Sequence, residues 1–424
     1  MLQVAYIREN KEKVLKGLAV RNFKDAEEQI NQIVELDDQR KQLQQKNDQV
    51  LAESNAKAKS IGLLMREGKQ DEANQKKQET ATLKSESKAL GEELKKVEEE
   101  LKQLLYNIPN IPNAKVPAGN TENDNIIARE VGEIPKLHEA AKPHWELIED
   151  YDIIDFELGN KITGAGFPVY KKKGAKLQRA LINFFLDEAE KAGFDEVQPP
   201  ILINEDSGYG TGQLPDKEGQ MYHAGVDNYY LIPTAEVPIT NIYRNVILTE
   251  DQLPIKNVGY TPCFRREAGS WGAHVRGLNR LHQFDKVEIV QIQHPDKSYE
   301  ALEQMSEYIQ SLLQKLELPY RVLVLCGGDL GFTSALTYDM EVYSAAQEKW
   351  LEVSSVSNFE AFQANRLKLR YKNPNKGTSL LHTLNGSALA LPRIVAAILE
   401  NNQTPEGIKV PEVLIPYCGF DIIN

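Results

Sequence analysis

Cationic and acidic side chains are concentrated in one glycine-rich stretch past the middle of the chain. Two strand-like segments, 264–268 and 287–290, flank a loop, and the arginines of the stretch are Arg265, Arg266, Arg276 and Arg280. Guanidinium groups on such a hairpin can bind the oxygens of a polyphosphate. Glu267 and Glu288 lie among these cations, where burial without a partner would be costly. Taken alone, the stretch is better explained as a solvated hairpin with surface charges.

Three short stretches elsewhere carry polar groups that could join this hairpin. One follows a strand at 229–233, one ends another strand at 352–355, and one at 385–388 precedes a helix whose first turn contains Arg393. Such a helix start attracts phosphate, and Glu352 with Ser355 offers oxygen ligands suited to Mg²⁺. The side chains concerned are Thr234, Ala235, Glu236, Glu352, Val353, Ser354, Ser355, Ser387 and Arg393.

Composition restricts the classes of function. The chain has 424 residues and a net charge of −12, which argues against a protein that binds nucleic acid over its whole surface and favours a local contact. Its three cysteines are far apart and form no CxxC pair, which favours the reducing cytosol and argues against a clustered cysteine zinc site. No apolar run is long enough for a membrane helix, and no signal peptide is evident.

The N-terminal third differs in kind from the remainder. Leu83, Leu90, Val97 and Leu104 are seven residues apart, and a weaker repeat of the same period runs from Leu36 to Leu64. Glycines at 62 and 68 bracket a turn. The pattern predicts two long antiparallel helices, about 27–65 and 69–105, that form a coiled-coil hairpin.

Charge separates this hairpin from the rest of the chain. Residues 1–105 carry 20 basic and 20 acidic residues, while residues 40–88 carry 11 basic against 7 acidic. The outer half of the hairpin is therefore mildly positive and could lie along a nucleic-acid backbone. Mixed lysine and glutamate faces also simply keep coiled coils soluble. The basic candidates are Arg40, Lys41, Lys46, Lys57, Lys59, Arg66 and Lys69.

A Pro/Asn/Gly-rich connection at 107–124 leads into alternating strands and helices. We expect helices at 175–192, 299–316 and 390–401. We expect strands at 194–203, where Pro199-Pro200 indicates an edge or an interface, and at 320–325, 338–342 and 350–353. This order predicts an α+β domain with a largely antiparallel sheet.

Taken together and in this order, the stretches resemble the seryl-tRNA synthetase family of the class II aminoacyl-tRNA synthetases. The region 193–200 looks like motif 1, 264–284 like motif 2 and 385–393 like motif 3. The resemblance implies an N-terminal tRNA-binding domain at 1–106, a linker at 107–124 and an antiparallel-sheet catalytic domain at 125–424. It also implies that loop 271–275 meets the tRNA acceptor end.

The resemblance assigns roles to individual side chains. Arg265 and Arg393 would be catalytic, and Glu352 with Ser355 would bind Mg²⁺; no zinc is expected. The serine pocket would comprise Thr234, Ala235, Glu236, Arg265, Glu288 and Ser387. ATP would contact Arg265, Arg266, Glu267, Phe284, Glu352, Val353, Ser354, Ser355 and Arg393. The plain structural alternative for Glu288 is an ion pair with Arg280 or Lys286.

The activity implied is ATP-dependent charging of tRNA(Ser) with serine, and tRNA(Sec) is a second candidate acceptor. The expected enzyme is a cytosolic homodimer joined through 193–203, and its hairpin 27–105 binds tRNA. Two alternatives remain open. One is a class II paralogue that loads a carrier protein, and the other is a non-catalytic coiled-coil binding protein.

Overall fold

The structure, a computed structural model, describes residues 1–267, 276–373 and 377–424. The chain separates into two compact units. One comprises residues 2–19 and 23–109, and the other comprises residue 1, residues 20–22 and residues 110–424. None of the helices in these described ranges combines the length and apolar character that a membrane span requires.

Helices and strands are numbered in chain order. The helices are α1 Val4–Glu9, α2 Lys11–Val20, α3 Ala26–Arg66, α4 Gln70–Asn107, α5 His144–Asp150, α6 Phe156–Ile162, α7 Lys172–Lys191, α8 Glu205–Thr211, α9 Glu236–Asn241, α10 Ser298–Lys315, α11 Ala361–Leu367, α12 Leu391–Asn401 and α13 Ile415–Cys418. The strands are β1 Ile126–Val131, β2 Ile154–Asp155, β3 Val169–Tyr170, β4 Asp195–Glu196, β5 Leu202–Ile203, β6 His223–Ala224, β7 Tyr229–Leu231, β8 Ile247–Leu248, β9 Ile255–Phe264, β10 Gln283–Gln293, β11 Tyr320–Val324, β12 Leu336–Ser344, β13 Lys349–Asn358, β14 Arg370–Asn373, β15 Gly377–Leu380, β16 His382–Ala390, β17 Gln403–Thr404, β18 Gly407–Lys409 and β19 Ile422–Ile423.

The first unit contains the predicted hairpin. Helices α3 and α4 pack against each other. They have 41 and 38 residues, so each is ~60 Å long. The heptad positions Leu90, Leu94 and Leu101 are buried, as the repeat predicts. The Ser87 hydroxyl also donates to Asn47 Oδ1 across the seam at 2.7 Å. A polar pair among apolar contacts favours one register of the two helices.

An eight-stranded sheet forms the centre of the second unit. Its order is β1-β11-β12-β13-β16-β10-β9-β4, and every neighbouring pair is antiparallel except β4 with β9. The α+β prediction is therefore confirmed. Helices α7, α10 and α12 pack on the sheet and bury mainly apolar faces, including Leu181, Leu302 and Ile394. These helices support the central strands, on which half of the predicted site residues lie.

Several predicted boundaries are wrong, and each has a local cause. The expected strand 194–203 is two short strands in different sheets, β4 and β5, because Pro199-Pro200 cannot donate ladder hydrogen bonds. The expected strand 264–268 does not form as such: β9 ends at Phe264, since the three residues after it leave the ladder. Ala268 lies outside the described residues. Residues 352–355 do not end a strand but lie inside β13.

Candidate active site

A buried carboxylate lies on β10, which pairs with β16 in the eight-stranded sheet. Glu288 of β10 faces Ser387 of β16 in the antiparallel register and is only 1 % exposed. Its Oε2 accepts a hydrogen bond from the Ser387 hydroxyl at 3.3 Å and lies 2.5 Å from the Lys286 ammonium nitrogen. Its Oε1 has no hydrogen-bond partner among the described residues. A buried acceptor without a partner is costly, so this oxygen is ready for a hydroxyl group of a ligand.

The ion-pair interpretation of Glu288 is thus partly realised. Lys286 does pair with it, but through Oε2 only. Arg280, the other partner considered, instead forms an ion pair with Glu267. The pair with Lys286 therefore fixes the orientation of the carboxylate and leaves one oxygen available.

A second carboxylate lies close enough to interact with the first. Glu236 begins α9, is 6 % exposed and accepts a hydrogen bond from the Gln363 amide at 2.7 Å. Its backbone N–H donates to the Thr234 hydroxyl at 3.2 Å. Burial, and then the charge of Glu288, raise the pKa of Glu236 to about 7. Buried Ala235 completes this segment. Two buried carboxylates this close together suit a ligand that carries both a hydroxyl and an ammonium group.

Arg265 lies beyond the end of β9, above the ring of Phe284 on β10. Its guanidinium carbon is 5.2 Å from the ring centroid, within the range of a cation–π contact. The Arg265 backbone N–H donates to the His282 carbonyl at 2.9 Å, which holds the backbone although the side chain is exposed. Arg266 is exposed too, and its N–H donates to the Gln220 carbonyl. An aromatic ring next to an exposed guanidinium suits a nucleotide with its phosphate.

Arg393 is the third residue of α12, and two backbone carbonyls hold it. Its Nε donates to the Asn279 carbonyl at 3.1 Å, and one terminal nitrogen donates to the Glu352 carbonyl at 2.7 Å. The same nitrogen is 3.8 Å from the Glu352 carboxylate. The structure therefore brings Arg393 next to Glu352 of β13.

Oxygen ligands for a cation occur on β13 and its neighbour β12. Ser355 faces Asp339 across the ladder, and Glu352 faces Glu341. Burial, followed by the charge of Glu352, raises the pKa of Asp339 well above its ordinary value, and Asp339 Oδ1 has no partner in the described ranges. This excess of carboxylate oxygens, one of them orphaned, fits a hard cation such as Mg²⁺. No group of three or more His, Cys, Asp and Glu in the described ranges has a metal-binding arrangement.

Two predicted ATP residues direct their side chains elsewhere. Val353 is 1 % exposed and joins the apolar core. The buried Ser354 hydroxyl donates to the Ser387 carbonyl at 2.6 Å and thereby ties β13 to β16. The motif 2 loop 271–275 lies outside the described residues.

Comparison with known proteins decides the family. A model of the seryl-tRNA synthetase N-terminal domain matches residues 1–112, and a model of the class II tRNA synthetase core domain (G, H, P, S and T) matches residues 221–402. The serine–tRNA ligase of Salinibacter ruber is 49% identical over 422 residues, which cover 99% of this chain and 98% of that protein. The chain belongs to the seryl-tRNA synthetase family.

Solved structures of the family agree over the full length. The seryl-tRNA synthetase from Pyrococcus horikoshii complexed with ATP has a TM-score of 0.90 at 33% identity and covers 100% of this chain and 99% of its own. The cytoplasmic serine–tRNA ligase from Naegleria fowleri in complex with AMP has a TM-score of 0.86 at 26% identity, with coverage of 100% and 99%. The serine–tRNA ligase of Chlorobium luteolum is 45% identical over 428 residues, which cover 100% of this chain and 99% of that protein.

Sequence reasoning missed three site residues of this seryl-tRNA synthetase family member. Gln363 holds Glu236, Arg280 pairs with Glu267, and Asp339 faces Ser355. Arg280 stood in the stretch already singled out, and its charge was a usable signal. Gln363 and Asp339 depend on contacts between distant segments, so no local pattern indicates them.

Proposed function

We propose that this chain is a serine–tRNA ligase. It activates serine with ATP to seryl-adenylate and transfers serine to the 3′ end of tRNA(Ser), with tRNA(Sec) as a second candidate acceptor. The observation that carries the proposal is the buried Glu288 carboxylate, which lies beside a second carboxylate, Glu236, and whose Oε1 lacks a partner among the described residues.

Selection of serine follows from this geometry. The hydroxyl of serine donates to Glu288 Oε1, and its ammonium group lies near Glu236. Thr234, Ala235 and Ser387 line the same pocket, and Arg265 binds the carboxylate of serine. A pocket built to bond a hydroxyl rejects an analogue without one by on the order of 10⁴-fold. Alanine is therefore excluded because it would leave Glu288 Oε1 unpaired.

Activation needs positioning and charge stabilisation rather than a general base. The serine carboxylate is already ionised near neutral pH. Its oxygen attacks the α-phosphorus of ATP, forms the P–O bond of the adenylate and displaces pyrophosphate. Arg265 stabilises the charge that builds on the α-phosphate, and Arg393 holds the γ-phosphate. The terminal ribose hydroxyl of tRNA then attacks the seryl carbonyl, and AMP leaves.

The adenine base lies on Phe284, and Glu267 accepts from its amino group. In the free chain Glu267 pairs with Arg280 through one carboxylate oxygen, Oε2, so the other remains for the base. Arg266, Val353 and Ser354 complete the ATP contacts, the last two through their backbone because their side chains are buried.

Glu352 and Ser355 are the proposed Mg²⁺ ligands. When bound, Mg²⁺ neutralises charge on the triphosphate. The orphaned Oδ1 of Asp339, next to Ser355, supports a cation at this place.

The hairpin is the proposed tRNA contact. The domain boundaries 1–106, 107–124 and 125–424 stay a prediction. Most of its basic candidates pair with acidic residues of the hairpin itself, namely Arg40, Lys41, Lys46, Lys57 and Lys69. Lys59 and Arg66 are exposed and form no ion pair among the described residues. They are therefore the best candidates for phosphate contacts.

The proposed homodimer uses the region 193–203. Ile201 and Leu202 are 38 % and 47 % exposed there, and the adjacent Pro199-Pro200 limits ladder pairing with other strands. Large apolar side chains at the surface support an interface with a second copy of this chain. A Leu202→Asp variant should sediment as a monomer, whereas unchanged sedimentation would contradict this assignment.

The deciding experiment measures serine-dependent ATP–pyrophosphate exchange and tRNA charging by the full-length chain. Absence of exchange would contradict the enzyme and favour the non-catalytic coiled-coil protein. Exchange without tRNA charging would favour the paralogue that loads a carrier protein.

The role of the hairpin is tested with Lys59→Glu and Arg66→Glu. Both changes should leave exchange unchanged and lower charging, because each adds a negative charge opposite a phosphate. Lys409→Glu makes the same charge change on β18 of the second unit and serves as the matched control. Equal charging by all three variants would contradict the tRNA contact.

A further inference from the structure

A fully buried histidine joins two elements that border the proposed ATP site. His144, the first residue of α5, and Glu400 of α12 have side chains that are 0 % exposed, with His144 Nδ1 2.6 Å from Glu400 Oε1. The other ring nitrogen, Nε2, accepts a hydrogen bond from the Leu278 backbone N–H at 2.8 Å. Because an amide N–H can only donate, the ring proton is on Nδ1 and is donated to Glu400.

Both carboxylate oxygens of Glu400 accept hydrogen bonds. Its Oε1 also accepts from the His144 backbone N–H at 2.9 Å and from the Gln347 amide at 2.8 Å, and its Oε2 accepts from the Ser344 hydroxyl. Burial acts to raise the pKa of Glu400, but the hydrogen bonds, first that from His144, outweigh it and lower that pKa. A satisfied buried network of this kind fixes a single geometry.

This network reaches Arg393 by two routes. Glu400 and Arg393 lie seven residues apart on α12, so they share a face of that helix. The second route runs through the turn Gly277–Asn279: Leu278 donates to His144, and the next carbonyl, of Asn279, accepts from Arg393 Nε. The Asn279 amide also donates to Gln347 at 2.9 Å.

The turn fits His144 closely. Gly277 has a φ of +65°, and a Cβ placed on it would come within 2.3 Å of His144 Nε2. A side chain here would both strain the backbone and push the ring away. The neighbouring Trp145 contacts the Arg276 guanidinium, whose carbon is 5.0 Å from the ring centroid. Two consecutive residues of α5 therefore fix the segment that begins where the motif 2 loop ends in the sequence.

We infer that His144 and Glu400 are positioning residues that set Arg393 for the triphosphate of ATP by holding the turn Gly277–Asn279. This inference rests on the proposed function, since it gives Arg393 its phosphate. Neither side chain touches a substrate in this arrangement. A purely structural role is the competing explanation, and it predicts loss of stability without a selective effect on ATP.

Two substitutions of the same histidine separate these explanations. In His144→Gln the amide oxygen reaches the place of Nε2 and keeps an acceptor for Leu278. In His144→Asn the amide nitrogen reaches only the place of Nδ1, so Glu400 keeps its donor and Leu278 loses its acceptor. Both remove the ring and should lower the melting temperature similarly.

The readouts are the KM values for ATP and serine in pyrophosphate exchange, and the Kd for ATP from calorimetry with full-length protein. His144→Asn should raise the ATP KM and Kd about tenfold, the order expected for one buried amide left unpaired, with the serine KM within about twofold. His144→Gln should restore most of the ATP affinity. His382→Asn is the control, because partly buried His382, on a different element, contacts the Ser298 hydroxyl at 2.7 Å at the start of β16.

Each outcome decides the inference. It is overturned if both His144 variants bind ATP like the unaltered chain, or if ATP and serine KM rise together and in proportion to lost stability. It is also overturned if His382→Asn raises the ATP KM as much as His144→Asn. If the unaltered chain shows no serine-dependent exchange, the proposed function fails, and the calorimetric ATP affinities of the variants still decide the positioning role.

Discussion

Glu236 should make serine binding depend on pH. Burial and the charge of Glu288 raise its pKa to about 7, while Gln363, Lys286 and Asn385 act in the opposite direction. Below that pH the carboxyl of the free chain is mostly protonated. The ammonium group of serine requires the ionised form as its neighbour, so binding below pH 7 releases a proton.

The size of the effect follows from this pKa. From pH 7 to pH 6, the ionised fraction of Glu236 falls from about a half to about a tenth, so the Kd for serine should rise about fivefold. The fall in Kd should level off near pH 8, where Glu236 is about nine-tenths ionised. Calorimetric titration of the full-length chain with serine, in the presence of a non-hydrolysable ATP analogue, measures this profile. A Glu236→Gln variant should bind serine weakly and without this dependence on pH.

The same shift predicts a change in stability. Folding raises the pKa of Glu236 from 4.5 to about 7, so in this window the native state keeps a proton that the unfolded chain has lost. The free energy of unfolding should therefore fall as pH rises from about 4.5 to 7, by at most about 3 kcal/mol from this group. Glu236→Gln should remove that part of the decrease. Either of two results would refute the reasoning. One is a serine Kd that is flat between pH 6 and 8 in the unaltered chain. The other is a free energy of unfolding that falls with pH as steeply in Glu236→Gln as in the unaltered chain.

Three further predictions concern the buried pair of Lys286 and Glu288, the phosphate site and the hairpin. Lys286→Met leaves Glu288 buried without its cation and should cost about 3 kcal/mol in urea unfolding; a loss under about 1 kcal/mol would contradict the buried pair. Arg393→Ala should lower the kcat of exchange about 10²- to 10³-fold, with an unchanged circular dichroism spectrum as the check on folding. Leu94→Ala in the hairpin seam should cost about 3 kcal/mol and lower tRNA charging but not exchange; an equal loss of both activities would contradict the division of labour.

The hairpin could be predicted closely because its signal is local and repeated. The expected helices 27–65 and 69–105 differ by only one or two residues at each end from α3 Ala26–Arg66 and α4 Gln70–Asn107. Each heptad repeats the same apolar spacing, so errors at single positions do not change the result. Polar Ser87 also lies in the seam, where it bonds Asn47, and spacing alone does not predict that partner.

The ends of the strands in the catalytic domain were harder to predict. Segment 352–355 was expected to end a strand. Instead it lies inside β13, and segment 385–388, which precedes a helix as expected, lies inside β16. Both strands are buried centrally in the sheet. There a hydroxyl such as that of Ser354 bonds the next strand and does not interrupt the ladder. Tertiary contacts therefore outweigh the local signal in the central strands.

Glu288 shows how far the sequence alone can reach. Lys286 precedes it by two residues on one strand, so the period of two places both on one face, and an ion pair was a reasonable alternative to a role in binding. The structure makes the two compatible: Oε2 takes Lys286 and Ser387, and Oε1 is left without a partner in the described part of the chain. A pair that served stability alone would gain by satisfying both oxygens, because an orphaned buried acceptor costs about 1–3 kcal/mol. That penalty disappears when a ligand hydroxyl fills the position, and it is incurred again by any ligand without one.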